Sequence, residues 1–330
     1  MQAIIQDGYG APDRVLRLDH IDQPSIGAGD ALIQVRATSV NTPDWVAVTG
    51  EPSVLRLKSG LRRPSHPVRG SDVAGVVEAV GRDVTDLRPG EEVFGSLWDN
   101  TIDSRAGTFV RYTVAPATQL VKKPAGLSFE EAAASVMTGL TALIAMREVG
   151  EVGPGTRVLV NGASGGVGTM AIQIAKSLGA EVTGVCGTGN IELVASLGAD
   201  QVLDYTKEDF TQSQRRYDVI LDNVLNHPPS AIARVLAAHG VLIPNSIGNT
   251  GGLLAGLPRM ARAALLGKGA TKVKFVRLAV NRANLNELVR LLESGEVRVV
   301  IDETYPFDEA ASAVAHMLGH HAIGKVAITV

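Results

Sequence analysis

Cysteine is almost absent: Cys186 is the single thiol in 330 residues. No intrachain disulfide can form, and no zinc cluster of closely spaced thiolates can be built. The chain also lacks an excess of either charge. Its 31 basic and 34 acidic residues give a formal net charge of -3. That offers no electrostatic case for nucleic acid or an anionic membrane, and points to a small molecule as partner. Long apolar runs are missing too: nothing approaches the roughly 18 consecutive apolar residues of a membrane span. Met1 to Gly8 has no basic region leading into such a run, so it does not read as a signal peptide, and Ala3-Ile4-Ile5 reads instead as a first strand. The expectation from these absences is a cytoplasmic protein with no membrane partner. With 45% hydrophobic and 20% charged residues, the chain has a globular balance and length enough for two domains.

What the chain does hold is a β-branched run that breaks into glycines and then opens a helix, Val158-Leu159-Val160-Asn161-Gly162-Ala163-Ser164-Gly165-Gly166-Val167-Gly168. A dinucleotide pyrophosphate needs backbone N–H groups at close range, and a Cβ on the loop would hold it away. The helix from Val167 to about Leu178 carries apolar residues at Val167, Ala171, Ile174, Ala175 and Leu178 and stops at Gly179, so its positive end points at the phosphates. Ser164, Gly165, Gly166 and Val167 are the candidate cradle. Further strand-like runs follow at Glu181 to Cys186, Gln201 to Asp204, Asp218 to Asp222, Gly240 to Pro244 and Lys272 to Ala279. Strands alternating with helices predict an α/β Rossmann domain, a doubly wound parallel six-stranded sheet.

The first part of the chain reads differently, as short strands broken by Gly, Pro and Asp, among them Ala31 to Ala37, Val73 to Val80 and Glu92-Val93-Phe94. Arg56, Lys58, Arg62, Arg63 and His66 form a basic stretch in a loop with Pro64 and Pro67. It reads as a solvated loop face, with a substrate-side anion contact as the alternative. The character changes at Lys123-Pro124-Ala125-Gly126, after which Ser128 and Glu131 have capping-box spacing and Phe129 to Arg147 runs helical. A later helix covers about Leu285 to Leu292. The apolar end Val326-Ala327-Ile328-Thr329-Val330 has little to pack on in a completed six-stranded sheet, so it is expected to return to the first domain. The predicted domains are residues 1–123 with 281–330, rich in β-structure, and 124–280, which bind nucleotide.

Read together, these halves resemble the medium-chain dehydrogenase/reductase superfamily, in its zinc-free, zeta-crystallin-like quinone oxidoreductase branch. The resemblance runs over essentially the whole chain. It is carried by Ser39-Val40-Asn41-Thr42-Pro43-Asp44-Trp45, Gly70-Ser71-Asp72-Val73-Ala74-Gly75, Gly107-Thr108-Phe109, Gly139-Leu140-Thr141, the glycine loop with Gln173 and Lys176, and Gly198-Ala199-Asp200. It implies a GroES-like β domain, a Rossmann domain and an active site in the cleft. It also implies NADPH-dependent reduction of quinones or of the C=C bond of α,β-unsaturated carbonyls, commonly by a homodimer. The superfamily's alcohol dehydrogenases hold catalytic zinc with cysteine and histidine where this chain has Asn41 and Ser71, and His66 nearby stands without thiolates. No metal is expected.

For the cofactor, an NAD-preferring site places a carboxylate about 20 residues past the loop, where this chain reads Cys186-Gly187-Thr188-Gly189-Asn190. NADPH is therefore favoured and NADH not excluded, although relatives hold the 2′-phosphate with Ser and Lys or Arg where Gly187 and Gly189 stand. Thr188, Asn190 and Tyr205 are the candidate ligands there. The resemblance makes Asn41 the candidate catalytic residue, an amide donor to a forming oxyanion, with a buried turn residue as the plainer reading. Thr141 carries over as a nicotinamide-side contact and Ser246 as a cofactor contact from the loop after the fifth strand, with cap or turn roles as alternatives. The substrate-facing tyrosine of many relatives is replaced by Val46, Arg111 stands where a carboxylate is frequent, and Ile323 where arginine is. Leu253 to Leu266 reads as an apolar lid or a dimer helix. The edge strand at Lys272 to Ala279 is expected to join two sheets in a homodimer. Two other functions stay open: a tailoring enoyl reductase acting on a bulky enone, and a non-redox NADP(H)-binding protein on the same fold.

Overall fold

The computed structural model describes residues 1–100, 107–246, 257–267, 272–319 and 322–330. The chain divides into two compact units, residues 1–140 with 279–294 and 299–330, and residues 141–278 with 295–298. The first passage between them falls inside the helix Phe129–Leu143 rather than at the Pro-Gly change before it. The physical reason is that the first turns of this helix bond into the first unit. Ala133 O accepts from Ser39 Oγ at 3.4 Å, and Met137 N donates to Asp72 Oδ2 at 3.4 Å.

The first unit is built on a seven-stranded sheet. Asp30–Ser39 pairs antiparallel with Asp72–Val80, with Tyr112–Pro116 and with the C-terminal strand Lys325–Thr329. Ile301–Pro306 adds a parallel edge to that last strand. Glu92–Ser96 and Leu120–Lys122 extend the other side. Buried residues such as Ile33, Val35, Val73 and Val93 form one core cluster, and Val40, Phe109, Val314 and Ile328 belong to a second. The register sets Ser39 opposite both Asp72 and Ala327, so three segments far apart in sequence converge at one end of the sheet. The Ser128–Glu131 capping box forms as read: Ser128 N donates to Glu131 Oε2 at 2.9 Å and Glu131 N to Ser128 Oγ at 3.1 Å.

The second unit holds a parallel six-stranded sheet in the spatial order third, second, first, fourth, fifth, sixth. Its strands, in chain order, are Arg157–Asn161, Glu181–Cys186, Gln201–Asp204, Tyr217–Asp222, Leu236–Pro244 and Lys272–Val273. This is the doubly wound order, with its switch point between the first and fourth strands. The sixth strand is shorter than Lys272 to Ala279. Lys274 N still donates to Leu242 O at 3.0 Å, but the neighbouring strand ends at Pro244, which has no N–H to continue the ladder. Gln173 ties residues 295–298 to this unit by imitating a backbone pair, donating to Arg298 O at 3.0 Å and accepting from Arg298 N at 2.9 Å. The stretch Phe129–Val149 is long and apolar enough to cross a membrane by length and composition, yet 78% of its apolar window is buried, as in a core helix. Its last turn, Ile144–Val149, is π-helical. The apolar stretch Leu253 to Leu266 lies partly outside the described residues; its described part is the helix Leu257–Leu266.

Candidate active site

In the second unit the strand Arg157–Asn161 delivers the chain into the glycine loop, and Gly165 opens the helix Gly166–Ser177 with no side chain capping it. The first N–H groups of that helix are thus left for a ligand. Gly168 makes the turn feasible: a Cβ there would stand 2.1 Å from Gly162 O, so only hydrogen fits. A Cβ on Gly165 would meet nothing closer than Gly162 O at 3.6 Å, so the space beside it is open. This is a cradle that fits a pyrophosphate.

Around the loop, Asn190 Nδ2 donates to Ser164 Oγ at 3.2 Å, and Tyr205, 60% exposed, lies across Gly187. Thr188 Oγ1 donates to Asp204 Oδ2 at 2.6 Å. Asp204 also accepts from Thr206 Oγ1 at 2.7 Å and pairs with Lys207 Nζ at 3.1 Å. The hydroxyls of Thr188 and Thr206 hold its carboxyl far below the usual range. Sequence reading finds no carboxylate in this loop, because Asp204 arrives from the next strand. The signal was its place at the end of the strand Gln201–Asp204, beside Cys186 at the end of its neighbour.

The switch point carries a polar cluster that sequence reading also missed. Asn161 Nδ2 donates to Asp222 Oδ1 at 2.8 Å and to Asn226 Oδ1 at 3.1 Å, and Asn245 Nδ2 donates to Asn223 Oδ1 at 2.8 Å. Asp222 Oδ2 and Asn223 Nδ2 are buried without a partner among the described residues. Burial raises the Asp222 carboxyl. Among the described residues, an orphaned acceptor and an orphaned donor thus stand at the carboxyl end of the fourth strand, where such sheets bind ligands. Thr141 is buried in the helix Phe129–Leu143, and Ser246 follows the fifth strand.

In the first unit Asn41 ends the strand approach and precedes the helix Thr42–Thr49, whose entry is fixed by Asn41 N donating to Asp44 Oδ2 at 2.7 Å. Its side chain is held at both ends. Lys325 Nζ donates to Asn41 Oδ1 and to Val40 O, each at 2.6 Å, while Asn41 Nδ2 donates to Asp72 Oδ2 at 2.8 Å. Ser39 Oγ donates to the same Asp72 oxygen at 3.0 Å, and Gly70 N donates to Asp44 Oδ1 at 3.1 Å. Asn41, Asp44, Asp72 and Lys325 are all buried. Desolvation raises both carboxyls and lowers the ammonium; the Lys325 charge opposes the rise of both carboxyls, the Asp72 and Asp44 charges oppose the fall of Lys325, and the Asp72 charge adds to the rise of Asp44.

The donor set here does not fit a zinc ion. The position that offers a thiolate in zinc enzymes is an amide whose oxygen already accepts from an ammonium, and the histidine position is Ser71. Among the departures, Arg111 donates to Gln2 Oε1 at 3.1 Å and lies over Phe307, and Ile323 N donates to Asp302 Oδ2 at 3.0 Å.

Residues 27–125 match the alcohol dehydrogenase GroES-like domain, and residues 197–328 match the zinc-binding dehydrogenase family. A chloroplastic quinone oxidoreductase of Triphysaria versicolor is 32% identical over 345 residues, covering 99% of this chain and 98% of that protein. A 2-methylene-furan-3-one reductase of Solanum lycopersicum is 32% identical over 337 residues, covering 99% of this chain and 79% of that protein. A mycobacterial protein solved in complex with NADPH is similar at a TM-score of 0.81 and 27% identity, covering 100% of both chains. The two-unit architecture, the glycine loop at the head of the doubly wound sheet and the full-length likeness lead to one conclusion: the chain belongs to the medium-chain dehydrogenase/reductase superfamily, in its quinone oxidoreductase branch.

Proposed function

We propose that the chain is an NADPH-dependent oxidoreductase that works without zinc and transfers a hydride to a quinone or to the C=C bond of an α,β-unsaturated carbonyl. The observation that carries this reading is the uncapped helix N-terminus behind an open glycine loop, at the head of a sheet whose switch point holds orphaned polar groups. NADPH, when bound, supplies the hydride. Ser164, Gly165, Gly166 and Val167 hold its pyrophosphate. Thr188, Asn190 and Tyr205 line the adenosine ribose, and Thr141 and Ser246 take the nicotinamide side. The preference for NADPH over NADH is supported by Lys207, a cation beside Thr188 that offsets Asp204, and by the solved relative that carries NADPH.

Asn41 is the proposed oxyanion donor. One amide hydrogen is committed to Asp72, and the other has only the long 3.5 Å contact to Ser39 O, which leaves it available to a substrate oxygen. Lys325 and Asp72 fix which end of the amide is the donor. The zinc-free reading is supported by that same pair, since an ammonium occupies the acceptor a metal would use. Reduction of an activated C=C bond is supported by the furanone reductase among the relatives. A homodimer through the edge strand Lys272–Val273 is part of the proposal, and monomeric elution at micromolar concentration would sink it.

The test is anaerobic oxidation of NADPH and NADH against enones, quinones and saturated ketones, with products identified and cofactor binding measured alongside. Conversion of an enone to its saturated ketone is the expected result. Binding without turnover on any of these substrates would favour a non-redox role, and absence of binding would overturn the nucleotide site.

A further inference from the structure

The loop that follows the helix Thr42–Thr49 presents its apolar side chains to solvent. Leu57 is 72% exposed and Leu61 69%, more than any other large hydrophobic residue among the described residues. Their Cα atoms, four residues apart, can be no more than about 14 Å from each other. Flanking them, Lys58, Arg62 and Arg63 are exposed and make no ion pair among the described residues. Over residues 51–70 the only carboxylate is Glu51, against Arg56, Lys58, Arg62, Arg63 and Arg69.

The loop that carries these leucines is tied to its surroundings. Arg56 is bound to the preceding turn, donating to Gly50 O at 2.9 Å and Thr49 O at 3.0 Å, and stacks over the Tyr9 ring at 4.7 Å. Tyr9 OH in turn donates to Gly60 O at 2.8 Å, and Ser65 N donates to Ser59 O at 2.8 Å. Arg56 and Gly60, on either side of Leu57 and just ahead of Leu61, are therefore tied to the rest of the first unit, and Ser65 closes the loop back onto Ser59. A soluble loop gains nothing from two fixed, exposed leucines.

We propose that this loop, centred on Leu57, Lys58, Leu61, Arg62 and Arg63, is a peripheral docking site for an anionic lipid surface. The leucines would enter the headgroup boundary while the cations meet the anionic headgroups, the arrangement by which amphipathic segments lie in a membrane interface. Charge complementarity selects this occupant, because the loop is locally basic on a chain that is acidic overall. The chain's overall charge hides this site; the basic stretch in the sequence marks it, and the exposure of the two leucines adds the apolar half.

The test is co-sedimentation of the full chain with extruded vesicles, in phosphatidylcholine alone and with about 30 mol% phosphatidylserine, at about 0.05 M and about 0.5 M salt. The wild type is expected to pellet with the anionic vesicles at low salt, to leave them at high salt, and to stay in the supernatant with phosphatidylcholine alone. Leu57→Ser with Leu61→Ser, and separately Lys58→Glu with Arg62→Glu and Arg63→Glu, should each lower partitioning about tenfold or more. Their thermal melts should match the wild type, because the changed side chains are exposed. The proposal is overturned if the wild type ignores anionic vesicles at low salt, or if both variants bind as it does. It is also overturned if the wild type self-associates without vesicle binding and the serine pair abolishes that association, which would give the patch to a second copy.

Discussion

Lys325 Nζ lies 2.6 Å from Asn41 Oδ1, across 284 residues of chain. This bond decides which face of the amide is a donor. Lys325→Met removes the ammonium and leaves Asn41 Oδ1 and Val40 O short of a donor inside the core, at a cost of about 3 kcal/mol. Urea denaturation should show that loss. The freed amide can also rotate, so turnover of an enone should fall about tenfold or more. The Kd for NADPH should stay within about twofold, since every residue assigned to the nucleotide belongs to the other unit. An unchanged turnover number would remove Asn41 orientation from the mechanism.

The two glycines of the nucleotide loop should respond differently to the same methyl group. At Gly168 an added Cβ stands 2.1 Å from a backbone oxygen that cannot move aside, so Gly168→Ala should lower both the melting temperature and nucleotide affinity. At Gly165 the backbone is extended with φ near -81°, and the nearest atom is 3.6 Å away. Gly165→Ala should fold normally and bind NADPH about tenfold more weakly, because its methyl group fills only the space kept for phosphate. Equal affinity for Gly165→Ala and wild type in a fluorescence titration would place the pyrophosphate elsewhere.

The capping box at Ser128 and Glu131 and the run from Val158 to Gly168 were legible because both are local. Each needs only residues a few positions apart, and turn chemistry or helix periodicity fixes the outcome. The Asn41, Asp72 and Lys325 chain was not legible, because it is made by strand register. Lys325 reads as an ordinary cation until the C-terminal strand is laid beside Ser39. The one local hint is a lysine opening an otherwise apolar strand. Asp204 was overlooked for the same reason, since parallel pairing with Cys186 brings it to Thr188. The sixth strand was over-read, because its β-branched residues say nothing about where the partner strand meets Pro244.

Lys207 offers a test of cofactor preference. Its ammonium, mostly exposed, pairs with Asp204 at 3.1 Å on the ribose side of the loop. A screened cation of this kind contributes about 1 kcal/mol. Lys207→Ala should therefore raise the KM for NADPH about fivefold and leave that for NADH unchanged or lower. Steady-state kinetics with both cofactors against one enone would check it, and a parallel rise for NADH would show that Lys207 supports the loop and does not read the phosphate.

Asp44 should make the stability of the protein fall as pH rises. Burial pushes its carboxyl up to about 7, with desolvation the largest cause and the hydrogen bond from Asn41 N opposing it. Between the ordinary carboxylate value near 4 and about 7, the folded chain holds a proton that the unfolded chain has lost, so unfolding releases it. The stabilisation is complete below that window and is lost as pH climbs through it. Asp72, raised by the same burial, acts with the same sign. The melting temperature should be about 5 °C higher at the acid end of the window than at its alkaline end. Asp44→Asn abolishes the titration but also replaces one acceptor of Asn41 N or Gly70 N with a donor. It should melt lower throughout and show a flatter dependence on pH. Calorimetry across the window separates the two effects, because a cavity or a lost hydrogen bond lowers the curve without changing its slope. If the variant keeps the wild-type slope, the proton is held elsewhere.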